Sequence, residues 1–239
     1  MEYNDIGKLL SSNEYPGRGI ILGISPDGSK QVAAYFIMGR SENSRNRIFE
    51  KRNDGIYTKA FDESKMEDPA LIIYAAVKQS GNSLIVTNGD QTDTIYEFLE
   101  AGDTFEHALD TRKFEPDAPN FTSRISGVIT NKSGGCMYKL SILKSLDEEG
   151  GTCGRFTYSY EPVAGKGHFI HTYKGNGNPL PAFAGEPVPV NIYDDCNEFA
   201  QYIWNSLNSE NRISLYVRYT DIKTGEYTET LINKNIQEA

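Results

Sequence analysis

The sequence has few of the features that stabilise or target specialised proteins. Only 3 of its 239 residues are cysteine, and no two of them are spaced as C-x-x-C. So sparse and odd a set supports neither a disulfide framework nor a structural zinc site. No apolar run approaches the roughly 18 residues of a membrane span, and residues 1–10 lack the pattern of a signal peptide. We therefore expect a cytoplasmic protein with no membrane partner.

Basic residues are also in the minority. Lys+Arg number 24 against 33 Asp+Glu, which gives a net charge of −9. Nucleic-acid binding needs a basic surface, so the balance argues against such a partner. A small anionic ligand remains compatible, because it needs only a few local arginines. The glycine-rich motifs that bind ATP or NAD are absent, and neither chemistry is indicated.

Alternating apolar patterns and turn residues predict a protein rich in antiparallel strands. Four predicted hairpins pair residues 19–24 with 31–38, 125–130 with 138–143, 155–160 with 168–173, and 213–219 with 227–232. Residues 69–78 and 83–87 are predicted strands, whereas 94–101 and 195–207 have helical spacing. No linker marks a boundary. We expect an α+β fold with helices layered on sheet, and a single domain over residues 1–239.

Arginines cluster between residues 39 and 53, where apolar positions are too few for a core element. We expect an exposed loop that presents Arg40, Arg45 and Arg47. Arginines beside a sheet suit a phosphate or an oxyanion, because the guanidinium group donates two parallel hydrogen bonds. A solvated charge run explains the same pattern equally well.

Residues 88–94 also allow two interpretations. Thr94 and Glu97 fit a capping box, and Gly102 would end the helix that follows. A turn followed by a helix start explains Asn88 and its neighbours without a ligand, whereas the free amides of that helix start would receive an anion.

The histidines and cysteines give no sign of a metal or a nucleophile. His168 and His171 would point to opposite faces of a strand, and no neighbouring acid completes a ligand set. The three cysteines lie outside recognisable nucleophile motifs, so we interpret them as small buried residues. We expect neither a metal nor a cofactor.

Several separated motifs, taken in order, resemble the archaeal-type IMP cyclohydrolase family. The similarity is strongest over residues 15–130, and the chain departs from the family over residues 150–189. The motifs are Gly17-Arg18, Ala34-Tyr35, Arg40-Ser41, Asn46-Arg47, Pro69 leading to Tyr74, Asn88-Gly89 with Thr92-Asp93-Thr94-Ile95, Phe114-Glu115 with Asp117, Thr122 to Arg124-Ile125, and Thr172-Tyr173.

The resemblance implies a four-layer αββα sandwich of mostly antiparallel sheets, similar to the N-terminal-nucleophile hydrolases. It also implies closure of 5-formamidoimidazole-4-carboxamide ribonucleotide to IMP without metal or cofactor. The implied catalytic residues are Arg47 and Tyr74, for the formyl oxygen, and Glu115, for amide positioning or proton transfer. Those implied to bind base, ribose or phosphate are Arg18, Arg40, Asn88, Asp93, Thr94, Arg124 and Tyr173.

Two other functions remain open at this stage. One is an amide hydrolase on the same fold, since a fold does not define its chemistry. The other is a non-catalytic module that binds purine nucleotides. For an IMP cyclohydrolase and for a nucleotide-binding module alike, we expect the partner to be a purine-pathway ribonucleotide. The protein could also form a homo-oligomer.

Overall fold

The computed structural model of the chain describes residues 2–65, 73–132 and 135–236. Its strands are β1 Arg18–Ile24, β2 Lys30–Met38, β3 Arg47–Arg52, β4 Gly55–Ala60, β5 Ala75–Ser80, β6 Ser83–Thr87, β7 Arg124–Lys132, β8 Gly135–Ser145, β9 Cys153–Tyr160, β10 Lys166–His171, β11 Val188–Asn191, β12 Arg212–Asp221 and β13 Tyr227–Asn233. Its helices are α1 Ile6–Ser11, α2 Glu42–Arg45, α3 Gln91–Glu100, α4 Phe105–Asp110 and α5 Cys196–Ser206, with a 3-10 turn at Glu63–Lys65.

The strands form two antiparallel sheets. Sheet A has six strands in the order β11-β10-β1-β2-β12-β13, and sheet B has seven in the order β3-β4-β5-β6-β7-β8-β9. The part of the α+β prediction that combines helices with mostly antiparallel sheets is therefore confirmed. Among the described helices, none is long and apolar enough to cross a membrane.

Alternation along the strands separates three apolar cores. Tyr35 of β2 and Ile142 of β8 belong to a core between the two sheets. The next residue of β2, Phe36, points to the other side and packs with Phe199 of α5 in a second core that includes α1. Helices α3 and α4 cover sheet B in a third core around β6, β7 and β8. Each sheet is thus buried on both faces over much of its area.

The first hairpin was predicted correctly because its turn is specified locally. The carboxylate of Asp27 accepts hydrogen bonds from the hydroxyls of Ser25 and Ser29, at 2.5 and 2.6 Å. Gly28 has a φ of +74°, a conformation that suits glycine. The turn sets β1 against β2, with Arg18 opposite Ile37.

The prediction of an exposed loop over residues 39–53 is wrong. Ser41 and Ser44 cap the short α2 reciprocally, and β3 then begins at Arg47. Arg47 and Phe49 are buried on the same face of β3, because alternate side chains share a face. The amide side chain of Asn233 bonds both backbone groups of Phe49, at 2.8 and 2.9 Å, which ties β3 to sheet A. Arg47, the first residue of β3, is therefore a charged residue held inside the protein.

Other predictions fail where pairing depends on distant residues. The proposed third hairpin does not form, since β9 pairs with β8 in sheet B and β10 pairs with β1 in sheet A. Helix α3 begins at Gln91, not at Thr94, and its N-cap Asp90 makes no capping bond. Residues 69–72 of one predicted strand lie outside the described residues, and β5 begins later, at Ala75.

Candidate active site

A cavity of about 290 Å³ opens where β1 and β3 begin and where the chain leaves β6 and β10. A larger cavity of about 890 Å³ shares no lining residue with it and contains none of the predicted site residues. The smaller cavity is lined by Tyr15, Arg18, Arg40, Ser41, Ser44, Arg47, Asn88, Glu115, Asp117, Asn120, Thr122, Tyr173 and Leu180.

Two arginines of the cavity, the half-buried Arg18 and the buried Arg47, have no anionic partner among the described residues. The Nε atoms of Arg18 and Arg47 are buried without hydrogen-bond partners, and within the described part of the chain neither side chain forms an ion pair. Burial, followed by the charge of Arg18, lowers the pKa of Arg47 to about 10. Burial also opposes the charge of Arg18, but nearby tyrosine oxygens raise the pKa of Arg18 overall. Both groups are charged at neutral pH, and a bound anion would satisfy them.

Tyr74 lies next to this arginine pair. It is 5% exposed and does not line the cavity itself, yet it interacts electrostatically with both Arg18 and Arg47. Its hydroxyl forms a 2.8 Å hydrogen bond with that of Tyr35. Burial raises the pKa of Tyr35, so this hydroxyl stays protonated. Tyr74, the predicted proton donor, therefore lies close enough to both arginines to interact with their charges.

Glu115 lines the cavity and is held by Arg124. The Nη1 atom of Arg124 lies 2.9 Å from Oε1 of Glu115, and Nη2 donates to Oε2 at 3.1 Å. Burial raises the pKa of Glu115, and the charge of Arg124 opposes that rise. Arg124 also donates to Asp90 and Gln91, both at 2.6 Å. These bonds occupy the guanidinium group of Arg124, which therefore positions Glu115. Arg124 itself does not line the cavity.

Gly89 lies close against this pair, and a side chain there would crowd it. A Cβ atom on Gly89 would lie 2.6 Å from Nη1 of Arg124 and 2.9 Å from Oε1 of Glu115. Neighbouring Asn88 donates to the carbonyl of Ser123 at 2.9 Å and accepts from the backbone of Ile125 at 2.8 Å. Asn88, which was predicted to bind substrate, lines the cavity and is held there by contacts at the start of β7.

Arg40 lies at the exposed rim. Its Nη1 atom donates to the side chain of Asn176 and, at 2.9 Å, to the carbonyl of Gly177. Its guanidinium carbon lies 5.1 Å from the ring centroid of Tyr15, and that ring stacks on Tyr173 at 5.8 Å. Arg40 thus links the loop before α2 to the loop after β10 across the mouth of the cavity.

Asp93 and Thr94 are not brought to the cavity. Because α3 begins at Gln91, the buried side of its first turn carries Gln91 and Thr92. Asp93 instead accepts a hydrogen bond from Lys78 at 2.7 Å, and its side chain is 51% exposed. Thr94 is half-buried on the same helix and is absent from the cavity lining.

Several lining residues were not predicted as site residues. Asp117, Thr122 and Ser41 belong to the motifs that carry the family resemblance, so the sequence held a signal for them. Asn120 and Leu180 had no such signal. Their positions depend on a tertiary contact, since the side chain of Asn120 accepts from the backbone of Leu180 at 3.0 Å.

The two histidines of β10 lie on opposite faces of sheet A, as predicted. His168 stacks on Tyr160 at 3.6 Å, and its Nδ1 lies 2.7 Å from the hydroxyl of Tyr138. His171 stacks on Phe169 and bonds the carbonyl of Tyr173 at 2.7 Å. Within residues 2–65, 73–132 and 135–236, no group of three or more His, Cys, Asp or Glu is arranged to hold a metal ion.

The fold and the cavity together define a mixed α/β protein with a small cavity, whose lining arginines Arg18 and Arg47 form no ion pair with another residue that the structure describes. The chain belongs to the IMP cyclohydrolase-like family, because the model described as "IMP cyclohydrolase-like protein" matches residues 15–225.

Curated relatives agree with that membership. The IMP cyclohydrolase of Methanococcus maripaludis strain C7 is 32% identical over 124 residues, which cover 50% of this chain and 60% of the relative. That of strain S2 is 34% identical over 123 residues, 48% of this chain and 58% of the relative. The Methanococcus aeolicus protein is 28% identical over 123 residues, 50% of this chain and 60% of the relative. The chain therefore spans about three-fifths of the length of the curated relatives it matches.

Proposed function

We propose that this protein is an IMP cyclohydrolase, which closes 5-formamidoimidazole-4-carboxamide ribonucleotide to IMP with loss of water. The observation that carries the proposal is the pair of guanidinium groups of Arg18 and Arg47 beside Tyr74 and Glu115. Their Nε atoms are buried, and neither group forms an ion pair with another described residue. Ring closure develops negative charge on an oxygen, and preorganised cationic donors stabilise such charge. The names of the curated relatives point to the same reaction.

The first step joins two groups that are already on one imidazole ring. The carboxamide nitrogen attacks the formyl carbon, so one N–C bond forms while the formyl C=O becomes a C–O single bond. Arg47 stabilises the charge on that oxygen, and the hydroxyl of Tyr74 supplies its proton. The attacking nitrogen releases one proton to the carboxylate of Glu115. Orientation of the two groups by the cavity contributes much of the rate.

The second step removes water from the resulting carbinolamine. The hydroxyl takes the proton that Glu115 gained in the first step and leaves as water, which breaks the C–O bond. The former formamide nitrogen returns a proton to the oxygen of Tyr74, and the C=N bond that forms completes the purine ring. A carboxyl group whose pKa is raised by burial, as in Glu115, exchanges protons near neutral pH more readily than an ordinary glutamate. Arg124 keeps this carboxyl group in place through two contacts.

The remaining cavity residues would bind the ribonucleotide. Arg18 is suited to an anionic group of the substrate, and Arg40 at the rim would exchange its contacts with Asn176 and Gly177 for the ligand. Tyr173 and Asn88 line the walls. No binding role is proposed for Asp93 and Thr94, because both lie away from the cavity.

We also propose an architecture for the chain. The three apolar cores support a four-layer αββα arrangement similar to that of the N-terminal-nucleophile hydrolases. A single domain over residues 1–239 is supported by the core shared between the two sheets. Neither proposal depends on the reaction.

The decisive experiment follows IMP formation by absorbance, with purified protein, the formamido ribonucleotide and a metal chelator. We expect turnover. A matched pair of variants tests the site: Arg47→Met should lower kcat about a hundredfold or more, while Arg52→Met, at an exposed arginine paired with Glu50, should not. Full turnover by a folded Arg47→Met protein would remove Arg47 from the mechanism.

Two outcomes would favour the other functions. A folded protein that binds IMP but never forms it would be a nucleotide-binding module. Release of ammonia from amide substrates, without IMP formation, would indicate an amide hydrolase.

A further inference from the structure

Three side chains outside the proposed catalytic set form a chain of hydrogen bonds that ends at the cavity. The hydroxyl oxygens of Tyr173 and Thr122 lie 2.6 Å apart. Thr122 also bonds the carboxylate of Asp117, with its hydroxyl to Oδ2 and with its backbone N–H to Oδ1 at 2.6 Å. All three residues line the cavity.

The direction of each bond follows from counting protons. A carboxylate accepts hydrogen bonds and donates none, so the single hydroxyl proton of Thr122 points to Asp117. The oxygen of Thr122 can then only accept from Tyr173. The single proton of Tyr173 is used in that bond, and its remaining lone pair is the one available to a ligand.

Packing around the ring of Tyr173 holds its hydroxyl oxygen in place. It is 3% exposed and stacks on Tyr15 at 5.8 Å. A Cβ atom on Gly17 would lie 2.4 Å from its Cδ2 atom, so the backbone packs directly against the ring. Glycine at position 17, with a φ of +79°, permits that approach.

We propose that Asp117 and Thr122 fix Tyr173 as a hydrogen-bond acceptor, so that this wall of the cavity selects a donor group on the ligand. A phosphate dianion has no proton to offer and is directed away from Tyr173, toward the arginines. The identity of the donor rests on the proposed function: in IMP it is a ribose hydroxyl or the ring N1–H. Asp117 and Thr122 act as positioning residues, through Tyr173.

Asp117→Asn should reverse the chain with almost no change in shape. The amide oxygen would still accept from the backbone N–H of Thr122, but the amide nitrogen would donate to the threonine hydroxyl. That hydroxyl would then donate to Tyr173, whose own proton would turn toward the cavity. The hydroxyl of Tyr173 and the donor group of the ligand would then point protons at each other, which weakens binding more than the loss of one hydrogen bond.

The test measures binding by calorimetry with IMP, 2′,3′-dideoxy-IMP and 1-methyl-IMP. Wild-type protein should lose about three- to tenfold in affinity for the analogue that lacks the selected donor, and keep its affinity for the other. Tyr173→Phe should lose a similar factor for IMP and no longer distinguish that analogue. Asp117→Asn should lose about tenfold or more for IMP.

Asp117→Asn binding IMP as tightly as wild type would overturn the proposal, as would equal affinity of the wild type for all three ligands. A neutron structure of deuterium-exchanged crystals gives the answer without a ligand. The deuteron between Tyr173 and Thr122 should belong to Tyr173, and its location on Thr122 would refute the assignment. If IMP does not bind at all, the proposed function fails, and the neutron structure alone decides this inference.

Discussion

Tyr35 and Tyr74 bring their hydroxyl oxygens within 2.8 Å of each other across the core between the two sheets. Tyr35 lies on β2 of sheet A, and Tyr74 immediately precedes β5 of sheet B. Both interact electrostatically with Arg18 and Arg47. A phenol is thereby held beside two cations by a hydrogen bond that only the packing of the sheets creates.

The hydrogen bond between Tyr35 and Tyr74 predicts different losses of kcat for two conservative variants. Tyr74→Phe removes the proposed proton donor and should lower kcat about a hundredfold, as loss of comparable donors does. Tyr35→Phe keeps that donor but removes its orienting partner, so a loss of about tenfold is expected. Steady-state kinetics with the formamido ribonucleotide measures both. An unchanged rate for Tyr74→Phe, with Tyr35→Phe impaired, would show that Tyr35 is the donor.

We expect Arg47 to lower the stability of the folded protein even though it serves the proposed reaction. A buried charge without a partner is unfavourable, and an apolar replacement of similar volume often stabilises. Arg47→Met should therefore raise the free energy of unfolding by about 1 to 3 kcal/mol. Urea denaturation measures the change, with Arg52→Met as the exposed control. Destabilisation by Arg47→Met beyond that of the control would mean that Arg47 has an anionic partner in the folded protein.

A side chain at position 89 should displace the contact between Arg124 and Glu115. The Cβ atom of Gly89→Ala would lie 2.6 Å from Nη1 of Arg124, so the contact between Arg124 and Glu115 has to shift. We expect kcat to fall about tenfold or more, because displacements of about 1 Å at catalytic groups are costly. Gly151→Ala is the control, since its Cβ would meet no atom closer than 3.5 Å. Equal activity of the two variants would show that the position of Glu115 is unimportant.

Acid should destabilise the protein through His168 and His171. Burial lowers the pKa of each to about 4, against about 6.5 in the unfolded chain. Both are neutral in the fold, so the stability they contribute is present above pH 6.5 and is lost as pH falls toward 4. The expected slope approaches about 1.4 kcal/mol per pH unit for each histidine.

Urea denaturation across this pH range checks the slope. Replacement of both buried histidines by glutamine should flatten it. An identical slope in the double variant would assign the acid sensitivity to other groups.

The sequence by itself determined the elements whose signals are local. The turn at residues 25–29 contains the aspartate, serines and glycine that form it, and α5 begins at its N-cap Asp195, as its spacing predicted. The motifs around Arg47, Tyr74 and Glu115 pointed to the reaction through family resemblance. A charged residue in a polar segment nevertheless predicted an exposed loop, because charge is more often solvated than buried.

Only the tertiary structure decided which distant residues meet. Neighbours in sequence, β9 and β10, lie in different sheets, because each strand buries its apolar face against a partner far along the chain. The start of α3 one turn earlier than predicted moved Asp93 away from the cavity. Side-chain direction depends on register and on helix phase, which long-range packing sets. The convergence of Arg18, Arg47 and Glu115 on one cavity is a product of that packing.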